Sequence, residues 1–340
     1  MNYLIVGAGA IGCYVGARLI AAGQRVALVG RAPILDPLAK GGLTVSDLDG
    51  FWTHLEPAQL QLFTNVAQAW QDFPAACGQG TPTVILLCVK GGATASAAQE
   101  IAAHCPPGTL VVSLQNGVDN LARIAQAGPG LQAVAGMVPY NVVMPDPHKV
   151  HRATEGALQL AKTPVTRTIA QAFNASGLPT VLASDMLAVQ WGKLLLNLNN
   201  PVNALSDLPL VDQLSDRDMR CVLAALQTEA LQVLGAAGIR PAKISKVPAR
   251  FLPFVLGLPN WLFSRVAANM LRMDARARSS MWEDVQRGRV TEIDDLCGAV
   301  VRLAAQHGVS APRNAAMCTL MASCRSGQHW SGNALRQAVG

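Results

Sequence analysis

Apolar and polar positions alternate along the first half of the chain in a repeated order. Residues 2–6 form a short apolar run that closes at Gly7, residues 10–22 follow with helical character up to Gly23, and residues 25–29 are apolar again. Strand-sized runs flanking a stretch of helical period define a strand–helix–strand unit. The order recurs: 83–89 is strand-like, 93–103 helical and 109–114 strand-like, then Asn116-Gly117, a short helix and strand-like 132–138 follow. Such alternation predicts an α/β fold built on a Rossmann-type, doubly wound parallel sheet. Residues 41–62, with Gly42, Asp49-Gly50 and alternating polarity, predict an antiparallel hairpin or irregular insertion.

The texture changes near Ser184. Helical stretches at 184–200, 214–237, 260–285 and 291–307 carry almost no strand-like alternation and follow a last strand-like segment at 179–183. The expected domains are therefore 1–182 and 183–340, the second all-α. The proline-containing segment 248–259 reads as an insertion packed on or between helices, and its apolarity would equally suit the surface of a homodimer.

Composition narrows the function classes. With 51% hydrophobic residues the chain is not disordered, and its 14% charged residues raise the question of a membrane span. The most apolar stretch, 251–263, is broken by Pro253, Pro259 and Asn260 and falls short of the roughly 20 residues that cross a bilayer. No basic region precedes the first apolar run, so a signal peptide is not expected and the cytoplasm is. Eight cysteines (13, 77, 88, 105, 221, 297, 318, 324) and six histidines are scattered, which indicates neither a disulfide frame nor a metal site. The net charge of +6 comes without a dense Lys/Arg block, so nucleic acid is not the expected partner. An anionic small molecule needs only a few local cations.

Candidate cations lie beside a nucleotide motif. Gly7, Ala8, Gly9, Ala10, Ile11 and Gly12 spell G-x-G-x-x-G between a predicted strand and a predicted helix. There the glycines make a tight turn and let backbone amides approach a pyrophosphate at the positive end of the helix. At the end of the second strand, where an NAD site carries an acid for the ribose 2′-hydroxyl, stands Gly30-Arg31. A guanidinium there pairs bidentately with a 2′-phosphate, so NADP(H) is the expected cofactor. Lys90, at the end of 83–89, is a second candidate cation, against the alternative of a solvated strand-end lysine. Asn116-Gly117 follows another strand at the same sheet edge, where open α/β folds bind ligands, although an ordinary turn would use the same pair.

In the helical half, Lys193, Asn197 and Asn200 are spaced i, i+4, i+7 inside an apolar stretch, so they are expected to share one face. A lysine in those surroundings is partly desolvated, which lowers its pKa toward that of a useful general acid. The competing reading is a lysine that reaches water along its stem. Further on, Thr291 with Asp294 fits a capping box that would put Glu292 in the first turn of a helix, and Ser280 stands before another helical stretch. Simple dipole complementarity and capping would also account for Glu292 and Ser280.

Taken in order, GAGAIG, CVK at 88–90, QNG at 115–117, WGKLLLN at 191–197, SSM at 279–281 and RVTEID at 289–294 make the chain resemble the 2-dehydropantoate 2-reductase (ketopantoate reductase) family over nearly its whole length. The resemblance implies a 6-phosphogluconate-dehydrogenase-like pair of domains and NADPH-dependent reduction of 2-dehydropantoate to (R)-pantoate in pantothenate synthesis. It also implies that Lys193 donates the proton, that Asn197, Asn200 and Ser280 bind substrate, that Glu292 holds the substrate hydroxyl or cofactor ribose, and that Asn116 touches both ligands. The sequence departs from the family where a second helical asparagine usually stands eight residues after the lysine. Pro201 holds that place here, with Asn200 one residue earlier. No further substrate asparagine is evident in 206–213, and the insertion near 248–259 is long. A reductase of another 2-oxo acid, a 3-hydroxyacid dehydrogenase and a non-catalytic NADPH sensor remain as other readings on the same scaffold.

Overall fold

The computed structural model describes residues 1–75, 82–244, 247–268 and 276–340. The chain divides into two compact units, Met1–Met186 and Leu187–Gly340.

The first unit runs β1 (Asn2–Val6), α1 (Ala10–Ala21), β2 (Arg25–Val29), α2 (Ala32–Gly41), β3 (Leu43–Asp47), β4 (Trp52–Leu55), β5 (Gln61–Phe63), α3 (Val66–Ala75), β6 (Thr83–Leu87), α4 (Thr94–His104), β7 (Leu110–Ser113), α5 (Asn120–Ala127), β8 (Gln132–Met137), β9 (Val142–Asp146), β10 (Lys149–Arg152), β11 (Leu158–Ala161), α6 (Pro164–Ala175) and β12 (Thr180–Ala183). Eight strands form one sheet in the order β12-β11-β8-β7-β6-β1-β2-β5, parallel except where β11 meets β8. This is the doubly wound sheet expected from the alternation.

Every residue of β1 is buried. Tyr3 and Ile5 pack with Cys13 and Ala17 of α1, while Leu4 and Val6 pack with Phe73 and Ile101 beneath the other face. A strand covered on both faces reads as a continuous apolar run, which is why 2–6 shows no alternation. β3 and β4 form the hairpin expected in 41–62, but they belong to a second sheet, β4-β3-β10-β9, which the sequence reading did not anticipate.

A largely buried ionic cluster ties this second sheet to α1 and to the turn after α6. Asp47 meets Arg18 of α1 at 3.1 Å and Arg152 of β10 at 3.4 Å, and Arg152 also pairs with Asp49. Tyr14 donates to Asp47, and Arg18 donates to the carbonyls of Ser176 and Gly177. Burial alone would raise the Asp47 carboxyl. The amides of Phe51 and Asp49 and the charges of Arg152 and Arg18 outweigh it and hold the group below its usual value.

The second unit contains α7 (Met186–Asn197), α8 (Asn199–Ser206), α9 (Leu210–Ser215), α10 (Arg217–Ala236), α11 (Leu252–Gly257), α12 (Asn260–Val266), α13 (Ser280–Gln286), α14 (Ile293–Gln306), α15 (Pro312–Ser323) and α16 (Gly332–Val339). Three expected helices are interrupted, each for a local reason. The stretch 184–200 breaks at Leu198, because Pro201 has no N–H for the Asn197 carbonyl and its ring crowds that carbonyl. The stretch 214–237 begins at Arg217, where Asp216 caps the amides of Asp218 and Met219. Among its described residues the stretch 260–285 holds two short helices, with Ser279 capping the second through Trp282 N; residues 269–275 lie outside the described residues, as does Cys77.

The apolar segment packs on α10 through Leu252, Leu256 and Phe263. Arg220, fully buried, fastens it by donating to the carbonyls of Leu214, Ser215, Leu256 and Leu258 and to Asn260 Oδ1. No helix among the described residues is long and apolar enough to cross a membrane.

Candidate active site

In the first unit the chain reverses its direction of sheet growth between β1 and β6, the switch point at which such folds bind ligands. The parallel registers pair Val6 with Val29 and Leu87, and Leu87 with Ser113. The four loops that follow β1, β2, β6 and β7 therefore leave one edge of the sheet together. They carry the glycine motif, Arg31, Lys90 and Asn116. Three strand spacings of about 4.8 Å separate the outer two of these strands, roughly 14 Å in all.

Two of the three motif glycines have a steric reason within the fold to lack a side chain. Gly7 adopts φ +111°, and a Cβ there would lie 2.6 Å from Val89 N. A Cβ on Gly12 would lie 2.2 Å from the Gly7 carbonyl oxygen, so α1 sits directly against the turn. A Cβ on Gly9 would meet nothing within 4 Å, and this residue is the N-cap of α1. Gly7 and Ala8 both direct their amides to the Val29 carbonyl, at 2.9 and 3.1 Å. They shape the loop, and the donors left for an anion are the amides of Ala10, Ile11 and Gly12, which have no acceptor within the helix. No side chain caps that end and no acid stands in its first turn. This open cradle of amides at a helix N-terminus fits a pyrophosphate.

Arg31 follows β2 and is the N-cap of α2. Its exposed side chain has no hydrogen-bond or ion-pair partner among the described residues. Lys90 is exposed two residues beyond Cys88, whose amide is bonded to Val6. Asn116 is half-buried, with Gly117 behind it at φ +94°.

In the second unit Lys193 and Asn197 lie one turn apart on α7, and both are half-buried. Desolvation by burial brings the Lys193 ammonium down from 10.5 to about 8. The expected continuous helix does not reach Asn200, which is the second residue of α8, beyond the break at Leu198. Among the neighbouring amides, Asn199 is engaged in a double hydrogen bond with Gln213, and Asn203 bridges Ser279 N and the Leu208 carbonyl. The half-buried Asn200 amide has no hydrogen-bond partner among the described residues, and the Asn200 carbonyl accepts from Ser279 Oγ.

Ser280 opens α13 with an exposed hydroxyl that has no partner among the described residues, because its neighbour Ser279 makes the cap. Glu292 is the N-cap residue of α14 and not a first-turn residue, and no side chain caps the helix there, so the Thr291 and Asp294 box does not form. Asp294 and Asp295 occupy the first turn instead. The buried amide Asn203, which holds the start of α13 against α8, went unrecognised in the sequence; its only sign was a polar residue within the apolar 201–205 run.

The model of the family described as "Ketopantoate reductase PanE/ApbA" matches residues 3–164, and that of its C-terminal part matches residues 185–324. A 2-dehydropantoate 2-reductase of Halobacterium salinarum is 27% identical over 92% of this chain and 95% of its own. Among solved structures, a PanE/ApbA family ketopantoate reductase of Ralstonia eutropha JMP134 superposes with a TM-score of 0.77 at 27% identity, covering 95% of this chain and 97% of that one. A D-mandelate dehydrogenase solved with NADH and anilino(oxo)acetate shares the fold, with a TM-score of 0.73 at 19% identity over 95% and 98% of the two chains.

Proposed function

Because the chain belongs to the ketopantoate reductase PanE/ApbA family, we propose that it reduces 2-dehydropantoate to (R)-pantoate with NADPH. The observation that carries this reading is Lys193, brought to about 8 by burial on the helix that also bears Asn197. A group with that pKa is mostly protonated at neutral pH and releases its proton readily to a developing alkoxide. NADPH, when bound, supplies the hydride.

The amides of Ala10, Ile11 and Gly12 bind the pyrophosphate, and Arg31 holds the 2′-phosphate with Lys90 beside it. Lys193 delivers its proton to the substrate's keto oxygen. Asn197, Asn200 and Ser280 orient the polar groups of the substrate, Glu292 holds its hydroxyl or the cofactor ribose, and Asn116 contacts both ligands. Orientation by such groups converts an encounter into a positioned reaction.

Purified protein with NADPH and 2-dehydropantoate, beside pyruvate, 2-oxoisovalerate and an NADH control, tests the reading by loss of cofactor absorbance. Fast oxidation confined to NADPH and 2-dehydropantoate is the expected result. Cofactor binding without turnover on 2-dehydropantoate would overturn the substrate assignment. A second reading, a reductase of a different 2-oxo acid, draws on Pro201 and the helix break at Leu198, which alter the face where the family carries its second asparagine.

A further inference from the structure

Beneath the loops that follow β6 and β7 lies a buried chain of side chains that the proposed reaction does not use directly. Ser113, Gln115, Thr94 and Asn120 are all nine-tenths or more buried. Ser113 Oγ lies 3.0 Å from Gln115 Oε1, Gln115 Nε2 lies 2.8 Å from Thr94 Oγ1, Thr94 Oγ1 lies 3.1 Å from Asn120 Oδ1, and Asn120 Nδ2 lies 2.7 Å from the Asn116 carbonyl. The second proton of Gln115 Nε2 goes to the Val89 carbonyl at 2.8 Å.

The two main-chain carbonyls fix the direction of every link. A carbonyl only accepts, so Asn120 must turn its amide nitrogen to Asn116, and Gln115 must turn its own to Val89. That leaves the Thr94 hydroxyl to accept from Gln115 and donate to Asn120, and the Ser113 hydroxyl to donate to Gln115. No member has an alternative orientation that keeps all five bonds. Directed, fully satisfied buried networks of this kind hold one geometry.

We propose that this relay is a positioning device for the ligand-facing loops. It sets the Asn116 peptide from one end and the Val89 carbonyl, adjacent to Lys90, from the other. It thereby fixes the separation of two groups that arise from neighbouring strands, and Thr94 is its central link. The relay rests on the proposed role of Asn116, and the test separates the two.

Thr94→Val keeps the shape and removes both central bonds, whereas Thr94→Ser keeps the hydroxyl. Thr94→Val is expected to raise the NADPH Kd and the 2-oxo acid KM by at least about tenfold, since each of the two lost buried hydrogen bonds is worth on the order of 1 kcal/mol. Thr94→Ser should restore both to within about twofold. In an Asn116→Ala background, Thr94→Val should add clearly less than its effect alone, only the part carried through Val89 and Lys90. Near-normal constants for Thr94→Val beside an impaired Asn116→Ala overturn the relay alone, as does an unchanged Thr94→Val effect in the double variant. Near-normal constants for Asn116→Ala overturn the Asn116 role and the relay with it. Should Thr94→Val not fold, Ser113→Ala removes only the outermost bond and is expected to shift the same constants about threefold, with no shift overturning the proposal.

Discussion

Lys193 links activity to stability in a way that one substitution can expose. Its ammonium falls from 10.5 to about 8 by desolvation, which corresponds to about 3 kcal/mol of cost to the charged form in the folded protein. Below pH 8 the lysine is charged in both folded and unfolded chains, so the folded state bears that cost in full. Between pH 8 and 10.5 the folded protein has released the proton while the unfolded chain still holds it, so stability rises with pH across that window. Above 10.5 the lysine is neutral in both states and the cost is gone.

Lys193→Met keeps the stem and removes the charge. It should stabilise the second unit at pH 7 by as much as about 3 kcal/mol, with the gain shrinking to nothing by about pH 10.5. The same variant should lose about 10² to 10⁴-fold in turnover, the contribution of a positioned general acid, while its NADPH Kd stays within about twofold because the amide cradle is untouched. Urea unfolding across the pH series and steady-state NADPH oxidation read the two effects. A pH-independent stability difference would refute the desolvation argument, and near-normal turnover would refute the role of Lys193 as proton donor.

Two further substitutions probe the first unit. Arg31→Ala is expected to raise the NADPH Kd by about 10 to 100-fold through loss of charge-assisted hydrogen bonds and to leave NADH binding nearly unchanged; equal losses in a binding titration would refute the 2′-phosphate role. Asp47 stabilises the fold above the usual carboxyl range, and that contribution is lost as the pH falls through its lowered folded-state value. Asp47→Asn should therefore cost about 3 kcal/mol at pH 7, the scale of a broken buried ion pair, and make acid unfolding less steep. An acid limb of unchanged slope would show that Asp47 does not carry it.

The sheet was legible in the sequence because interior parallel strands and amphipathic helices impose different periods on the same chain. Residues 2–6, 25–29 and 83–87 needed no tertiary information, since burial on both faces makes every position after the first of each strand apolar. β10 escaped because its partner β3 lies about 100 residues away, and a pairing of that separation leaves no local rhythm, while β9 joins the sheet only through its hairpin with β10. Among site residues, the glycine motif was legible because Gly7 and Gly12 answer local steric demands. The helix expected over 184–200 ends early because Pro201 has no N–H for the Asn197 carbonyl, an effect from a residue just beyond the expected stretch. Ser279 and Ser280 are indistinguishable as sequence. Only the bonds of Ser279 Oγ to the Asn200 carbonyl and from Trp282 N show which hydroxyl is structural.

That division of labour among neighbouring polar residues bears on substrate choice. Asn199 and Asn203 are committed to Gln213, Leu208 and Ser279, so α8 can offer a ligand only the Asn200 amide from this run of three asparagines. Under the proposed function, with Pro201 at the eighth position after Lys193, recognition of a substrate hydroxyl would fall to Ser280, Glu292 and Asn200. A site that hydrogen-bonds a substrate hydroxyl rejects an analogue without it by about 10⁴-fold, because the site's own polar groups are left unpaired, whereas apolar contact with an extra carbon discriminates by only about 10 to 200-fold. 2-Dehydropantoate differs from 2-oxoisovalerate by one hydroxymethyl group. The ratio of kcat/KM between these two acids therefore measures whether the remaining polar groups grip the hydroxyl. A ratio near 10⁴ places Ser280, Glu292 and Asn200 on it, and a ratio near 10 means that the altered face serves a 2-oxo acid with an apolar side chain.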